Sequence, residues 1–338
     1  MDDTNRQVRL AARPDGAPTR EAFELVETDV PTPAERDVLV RSWYLSVDPY
    51  MRGRMRATAT YHEPWDVDEV LEGGVVGEVV TSNHPDFERG DVVTGRLEWA
   101  EYGVADGDDL TPVDPDLAPV STALGVLGMP GRTAYFGMLD VAEPKPGDTV
   151  VVSGAAGAVG SVAGQIARIA GCRVVGIAGS EEKIAYVTDE LGFDVGVVYS
   201  RDTYERDLAE ACPNGVDVYF DNVGGAVTDA VIPLVNDRVR IALCGQIALY
   251  NDEEVPLGPR HFLKLSRTQG QVRGFSVRNY ENRTREANER LADWVTSEVI
   301  RYRESVAEGL ENAPDAFLGL FEGENIGKQL VAVDPPDE

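Results

Sequence analysis

Three glycines spaced three apart, Gly154, Gly157 and Gly160 in VVVSGAAGAVGSVAGQ (150–165), close an apolar run and open a helical one. A strand–turn–helix of that kind lets backbone without Cβ approach a pyrophosphate, and the helix N-terminus offers it free N–H groups. The next strand, CRVVGIAG, ends in Ala178 and Gly179, where a site for a bare ribose hydroxyl would place a carboxylate. Ser180, Glu181, Glu182 and Lys183 follow instead. The two acids suit the first turn of a helix, and Lys183 brings an ammonium within reach of a 2′-phosphate. A charge-assisted bond of about 1.5–3 kcal/mol corresponds to a preference for NADPH of roughly ten- to a hundredfold. The 31 basic residues include only four lysines, at 145, 183, 264 and 328, so an ammonium here stands out. The plainer readings are a tight packing turn without ligand and a solvated helix lysine.

These residues need a frame. From about residue 147, short apolar runs (DTVVVSG, CRVVGIAG, DVGVVYS, VDVYFDNVG, VRIALCG) alternate with helical stretches (GSVAGQIARIAG, SEEKIAYVTDELG, YERDLAEACPNG). This alternation predicts a parallel sheet covered on both faces. Before it, residues 1 to about 125 read as β-rich, with β-branched runs at 37–48, 72–82 and 90–105 cut by Gly, Pro and Asp. VAEPKPGD (141–148) is the entry turn, residues 282–304 read as one long amphipathic helix, and NIGKQLVAVD reads as a last strand.

The bulk properties narrow the function classes. A chain of 338 residues with 43% hydrophobic and 27% charged residues is globular, with length for two domains. Its 59 acids against 31 bases give a formal charge of −28, which repels nucleic acid and anionic membrane surfaces. Acid excess with so few lysines points to a protein built for molar salt, where self-repulsion is screened within about 3 Å. MDDTNRQVRL lacks the apolar core of a secretory signal, and no run approaches the roughly 20 apolar residues of a membrane span, so the expected location is the cytoplasm. Cys172, Cys212 and Cys244 are odd in number and widely spaced, which argues against a disulfide framework. His62, His84 and His261 are scattered, without the close Cys/His pairs of a zinc site.

With these residues in place, the chain resembles the zinc-independent medium-chain dehydrogenase/reductases, within them the leukotriene hydroxydehydrogenase, prostaglandin reductase and 2-alkenal double-bond reductase group. The resemblance rests on LSVDPYMRGRM (45–55), GMPGRTAYFGML (128–139), SGAAGAVGSVAGQIA, GSEEKIAY, FDNVGG (220–225), LCGQIALYN (243–251), RGFSV (273–277) and ENIGKQLV (324–331), in that order over nearly the whole chain. It implies an α/β fold: a doubly wound Rossmann sheet (126–305) inserted in a GroES-like β-rich catalytic domain formed by residues 1–125 and 306–338. It implies that Gly157, Ala158, Val159 and Gly160 hold the pyrophosphate of NADP(H), and Lys183 with Tyr199 the 2′-phosphate. Asn222, Cys244, Gly245, Ile247, Tyr250, Phe275, Ser276, Val277 and Asn325 would line the ribose and nicotinamide, and the protein would be a homodimer. Zinc-dependent relatives carry a Cys near the SVD stretch and a His-Glu pair near LEGGVVGE; this chain has neither, so no metal is expected.

Hydride transfer to the β-carbon of an α,β-unsaturated ketone or aldehyde is then the expected reaction. Negative charge collects on the carbonyl oxygen, and Tyr250, a phenol that stays protonated at neutral pH, is the expected donor to that enolate, a candidate source of the α-proton alongside the cofactor's ribose 2′-hydroxyl. Tyr50 is expected to stack on flat substrates from the other domain, with Asp48 and Arg52 a structural pair around the Pro49 turn. Arg132 and Arg260 are available to an anionic substrate. Animal members carry a tyrosine where LKLSRTQG (263–270) has no aromatic residue, so their substrate specificity does not carry over. A quinone reductase of the same superfamily and a non-catalytic NADPH-binding sensor remain the alternatives.

Overall fold

The computed structural model describes residues 4–58, 63–254 and 256–336. Strands β1 (Thr4–Leu10) and β2 (Phe23–Asp29) form an antiparallel hairpin. Next come β3 (Asp37–Ser46), β4 (Glu72–Ser82), β5 (Val92–Glu98), β6 (Tyr102–Asp106) and the short β7 (Thr111–Pro112), all antiparallel to their neighbours. The apolar run predicted over 90–105 is thus two strands, broken at Trp99–Glu101, where the backbone bonds to β1 instead. Inward residues of these strands, among them Val38, Val40, Val75, Val79, Val93 and Leu97, close a core with Trp65, Trp99 and Phe317.

Six strands in the middle of the chain form the second sheet: β8 (Thr149–Ser153), β9 (Arg173–Ala178), β10 (Val195–Val198), β11 (Val216–Asp221), β12 (Val235–Leu243) and β13 (Gln271–Gly274). Every pairing is parallel, in the order β10-β9-β8-β11-β12-β13. All of β8 is buried because both faces are covered: Val150 and Val152 join one core, and Val151 joins the other. The order in which strands are added reverses between β8 and β11, the switch point outside whose carboxyl ends ligands of such sheets bind.

Strands β14 (Glu304–Glu308) and β15 (Lys328–Ala332) then return to the first sheet, β15 pairing antiparallel with β3. Between β13 and β14 the predicted helix over 282–304 is shorter, Thr284–Thr296. Glu298 takes a left-handed φ of 57°, and the amides of Val299 and Ile300 both turn back to the Trp294 carbonyl, which stops the helix and aims the chain into β14. His62 lies outside the described residues. Among the described residues no helix is long and apolar enough to cross a membrane.

Candidate active site

The carboxyl ends of the six parallel strands collect most of the candidate residues along one crevice. After β8 the glycine turn folds on itself: Gly154 has φ 59°, the Gly157 amide bonds the Gly154 carbonyl at 3.0 Å, and Val159 caps the helix Gly160–Ile169. A Cβ on Gly160 would fall 2.2 Å from the Gly154 oxygen, so the turn admits only glycine there. The Ser161 amide bonds the Gly157 carbonyl at 3.0 Å, which ties the start of this helix, next to Ala158, to the glycine turn. Asn222, at the end of β11, is tied to the same turn; its Nδ2 donates to the Ser153 carbonyl at 2.7 Å and its amide to Ser153 Oγ at 2.9 Å.

One residue holding this arrangement escaped the sequence reading. Asp221 is fully buried, and its Oδ1 accepts from the Ser153 and Tyr219 hydroxyls and from the amides of Val223 and Gly224, while Oδ2 accepts from Thr228 Oγ1 at 2.6 Å. Its carbonyl accepts from the amides of Cys244 and Gly245. The carboxylate therefore fixes the loops after β8, β11 and β12 against one another. The available signal was an acid closing the otherwise apolar run VDVYFD.

The segment after β12 continues this zipper, with the Ile247 and Ala248 amides on the Asn222 and Val223 carbonyls. It ends at Tyr250, whose ring crosses Gly245; a Cβ there would lie 3.2 Å from the phenol oxygen. That oxygen accepts from the Gln246 amide at 3.4 Å, which leaves the O–H to donate elsewhere. Burial pushes the phenol above its ordinary value. Burial also pushes the Cys244 thiol up to about 12, with the charge of Asp221 adding to it, so this cysteine stays a thiol. Beyond β13 the Phe275 ring packs on the core, edge-on to Phe220; Ser276 caps the following turn and Val277 packs on the core. Asn325 donates to the Gly327 carbonyl at 2.8 Å, and the Gly327 amide bonds Ala156, which lays the 325–327 segment against the glycine turn.

At the other end of the crevice, Ser180 Oγ caps the helix Glu181–Ala185 at Lys183, and Tyr199 borders Gly179. The ammonium of Lys183 reaches across to the Gly323 carbonyl at 2.6 Å, and burial lowers its pKa. Glu181 is paired with Arg201.

The first domain gives a different picture from the one expected. Asp48 and Arg52 do not pair: Asp48 bonds Ser46 Oγ and Lys328 Nζ, while Arg52 donates to Asn251 Oδ1 at 3.2 Å and to the Gly16 carbonyl at 2.5 Å. The turn points Arg52 at the second domain, and a buried lysine from β15 takes its place. Tyr50 opens the helix Met51–Arg54 and packs against the first-domain core. Arg132 is held by Asn288 Oδ1 at 3.3 Å, and Arg260 is exposed.

Residues 6–113 match the family described as the N-terminal domain of oxidoreductase, and residues 158–294 the one described as zinc-binding dehydrogenase. The NADPH-dependent curcumin reductase of Escherichia coli (strain K12) is 47% identical over 338 residues, 98% of each chain. The chain belongs to the curcumin and prostaglandin reductase group of the medium-chain dehydrogenase/reductases. Prostaglandin reductase 1 of Mus musculus is 43% identical over 323 residues, covering 94% of this chain and 95% of the relative. The crystal structure of CurA from Vibrio vulnificus in complex with NADPH superposes with a TM-score of 0.94 at 47% identity, over 98% of this chain and all of that one.

One family description names zinc, and the residues of this member do not fit that ion. At the crevice end of β3 the donors are Ser46 and Asp48, and the Lys328 ammonium already stands 3.1 Å from Asp48 Oδ1. Among the described residues, one group of metal-type ligands converges, His84, Asp106 and Asp108. It sits at the opposite end of β3, about 30 Å away by strand rise. There the His84 Nε2 lies 3.1 Å from the Arg36 guanidinium and 3.3 Å from Asp108, and its Nδ1 accepts from the Asp86 amide.

Proposed function

We propose that this reductase uses NADPH to saturate the C=C bond of α,β-unsaturated ketones and aldehydes, without a metal. The placement of Tyr250 carries the reading: a half-buried phenol, its pKa raised by burial, lies over Gly245 just after β12 with no acceptor for its O–H among the described residues, in a group whose relatives are named curcumin and prostaglandin reductases. The residues fit NADPH. The glycine turn is a cradle that a Cβ would fill, no acid ends β9, and Lys183 supplies the cation. When bound, NADPH supplies the hydride. Tyr250 donates to the carbonyl oxygen as the β-carbon accepts that hydride, and the enolate then takes a proton at its α-carbon, giving the saturated carbonyl.

The direct test follows NADPH and NADH oxidation with a medium-length 2-alkenal, in low salt and in about 2 M KCl, where screening is nearly complete. A saturated aldehyde, formed preferentially with NADPH and faster in high salt, supports the reading and its halophilic setting. The allylic alcohol as product, or oxidation with quinones alone, overturns it. Lys183→Ala is expected to weaken NADPH binding about 10–100-fold and leave NADH binding unchanged, read by quenching of protein fluorescence. A homodimer is part of the proposal, because all four residues of β13 are exposed at the sheet edge, with Val272 48% accessible. Light scattering is expected to give twice the 36.7 kDa chain mass, and the single-chain mass for Val272→Lys.

A further inference from the structure

We infer that Arg56, with Arg52 beside it, is a positioning residue that clasps the Tyr250 segment from the opposite domain. The inference rests on the reading of Tyr250 as donor and adds what holds it there. Arg56 Nη2 donates to the carbonyls of Tyr250 at 2.9 Å and Asp252 at 2.8 Å, and Arg52 Nε donates to the intervening Asn251 side chain. Three consecutive residues are thus gripped from across the crevice. The arginines are themselves anchored: Arg13 Nη1 donates to the Arg56 carbonyl at 2.7 Å, and Arg52 Nη2 to the Gly16 carbonyl.

Local structure alone holds the segment weakly. Tyr250 and Asp252 close their own turn through amide bonds of 3.2 and 3.3 Å, and Glu253, Glu254 and residues 256–260 beyond are exposed. A chain with 59 acids could have paired both guanidiniums with carboxylates, yet among the described residues neither has an ion pair. Their hydrogen bonds go to neutral oxygens, so the donors stay on the segment instead of being drawn to a competing charge. Among the described residues the Arg56 guanidinium donates to the backbone carbonyls at 250 and 252, which makes the clasp independent of the side chains there. The same contacts that join the two domains here therefore hold the segment that bears the phenol.

The test compares Arg56→Met, Arg56→Lys, Tyr250→Phe and the double variant Arg56→Met/Tyr250→Phe in the full chain. Amide exchange over 247–252, NADPH affinity, kcat and KM are read for each. Arg56→Met is expected to speed exchange over 247–252 about tenfold or more and to lower kcat about tenfold, with NADPH affinity and KM within about twofold. Arg56→Lys, which keeps a cation with several donors, recovers most of the kcat. In the Tyr250→Phe background Arg56→Met lowers kcat by less than about twofold, because the clasp acts through the phenol. Unchanged exchange over 247–252 in Arg56→Met overturns the clasp, as does a full tenfold further loss in the double variant. Faster exchange together with an undiminished kcat in Tyr250→Phe keeps the clasp and overturns the role of Tyr250 instead.

Discussion

Tyr250→Phe is expected to lower kcat by roughly 10²–10³-fold while leaving NADPH affinity within about twofold, because one oriented donor to a developing oxyanion contributes about 2.7–4 kcal/mol to the barrier. The phenol is the group the crevice offers for this work. Its oxygen already accepts from Gln246, its hydrogen has no acceptor among the described residues, and Asp221 locks the loops after β11 and β12 that lead to it while Arg56 holds the segment itself. The pH dependence has a definite sign. The donating form is the protonated phenol, and burial raises its pKa above the ordinary value near 10. The alkaline fall of kcat is therefore expected above pH 10 in the native enzyme and is expected to vanish in Tyr250→Phe, a comparison that steady-state rates across pH settle. A variant that keeps more than about a third of the native kcat would remove Tyr250 from the chemistry and leave oxyanion stabilisation to another donor.

What could be read in advance divides by the range of the contact. The parallel sheet, its glycine turn and the residues at its strand ends carry local signatures: short continuous apolar runs, small residues where backbone must approach backbone, a serine before the helix that bears Lys183. Those placements needed no partner from elsewhere in the chain. The reading failed where two distant segments decide together. Sequence proximity pairs Arg52 with Asp48, yet its partners are Gly16 and Asn251, and Asp48 finds Lys328 some 280 positions away. Nothing local marks Arg56 as a ligand of the Tyr250 backbone, since a backbone carbonyl has no sequence identity. The helix past 282 was read too long for a related reason. Its apolar spacing continues through Val299 and Ile300, but those residues reverse onto Trp294, and only the left-handed Glu298 signals it. Lys183 shows both sides. Its place at the end of β9 was legible, and its bond to Gly323 across the crevice was not.

The same long-range logic makes Lys328 the position where a single change is expected to cost the fold most. Lys328 is 4% exposed, and its ammonium donates to the Val47 carbonyl at 2.9 Å, to Asp48 Oδ1 at 3.1 Å and to the Gln329 carbonyl at 2.9 Å, so all three of its protons are used. The neighbouring strand places Glu304 in register with it, a carboxyl raised by burial and drawn down by Ser121 and by the lysine charge. Lys328→Met keeps the length of the side chain and strands Asp48 in a site where it is 7% exposed. Removing one partner of a buried pair costs about 3–5 kcal/mol, whereas the intact pair adds little over an apolar one. Thermal unfolding in high salt is expected to fall by about 4–7 °C for Lys328→Met. Adding Asp48→Asn is expected to restore at least about half of that loss, since the double variant leaves no unpaired charge. Strict additivity of the two changes would show that Lys328 acts through its carbonyl bonds to β3 and not through Asp48. The partial rescue, by contrast, would establish that in this reductase an ammonium from the last strand fixes the crevice end of β3, and with it the turn that sends Arg52 and Arg56 across to the Tyr250 segment.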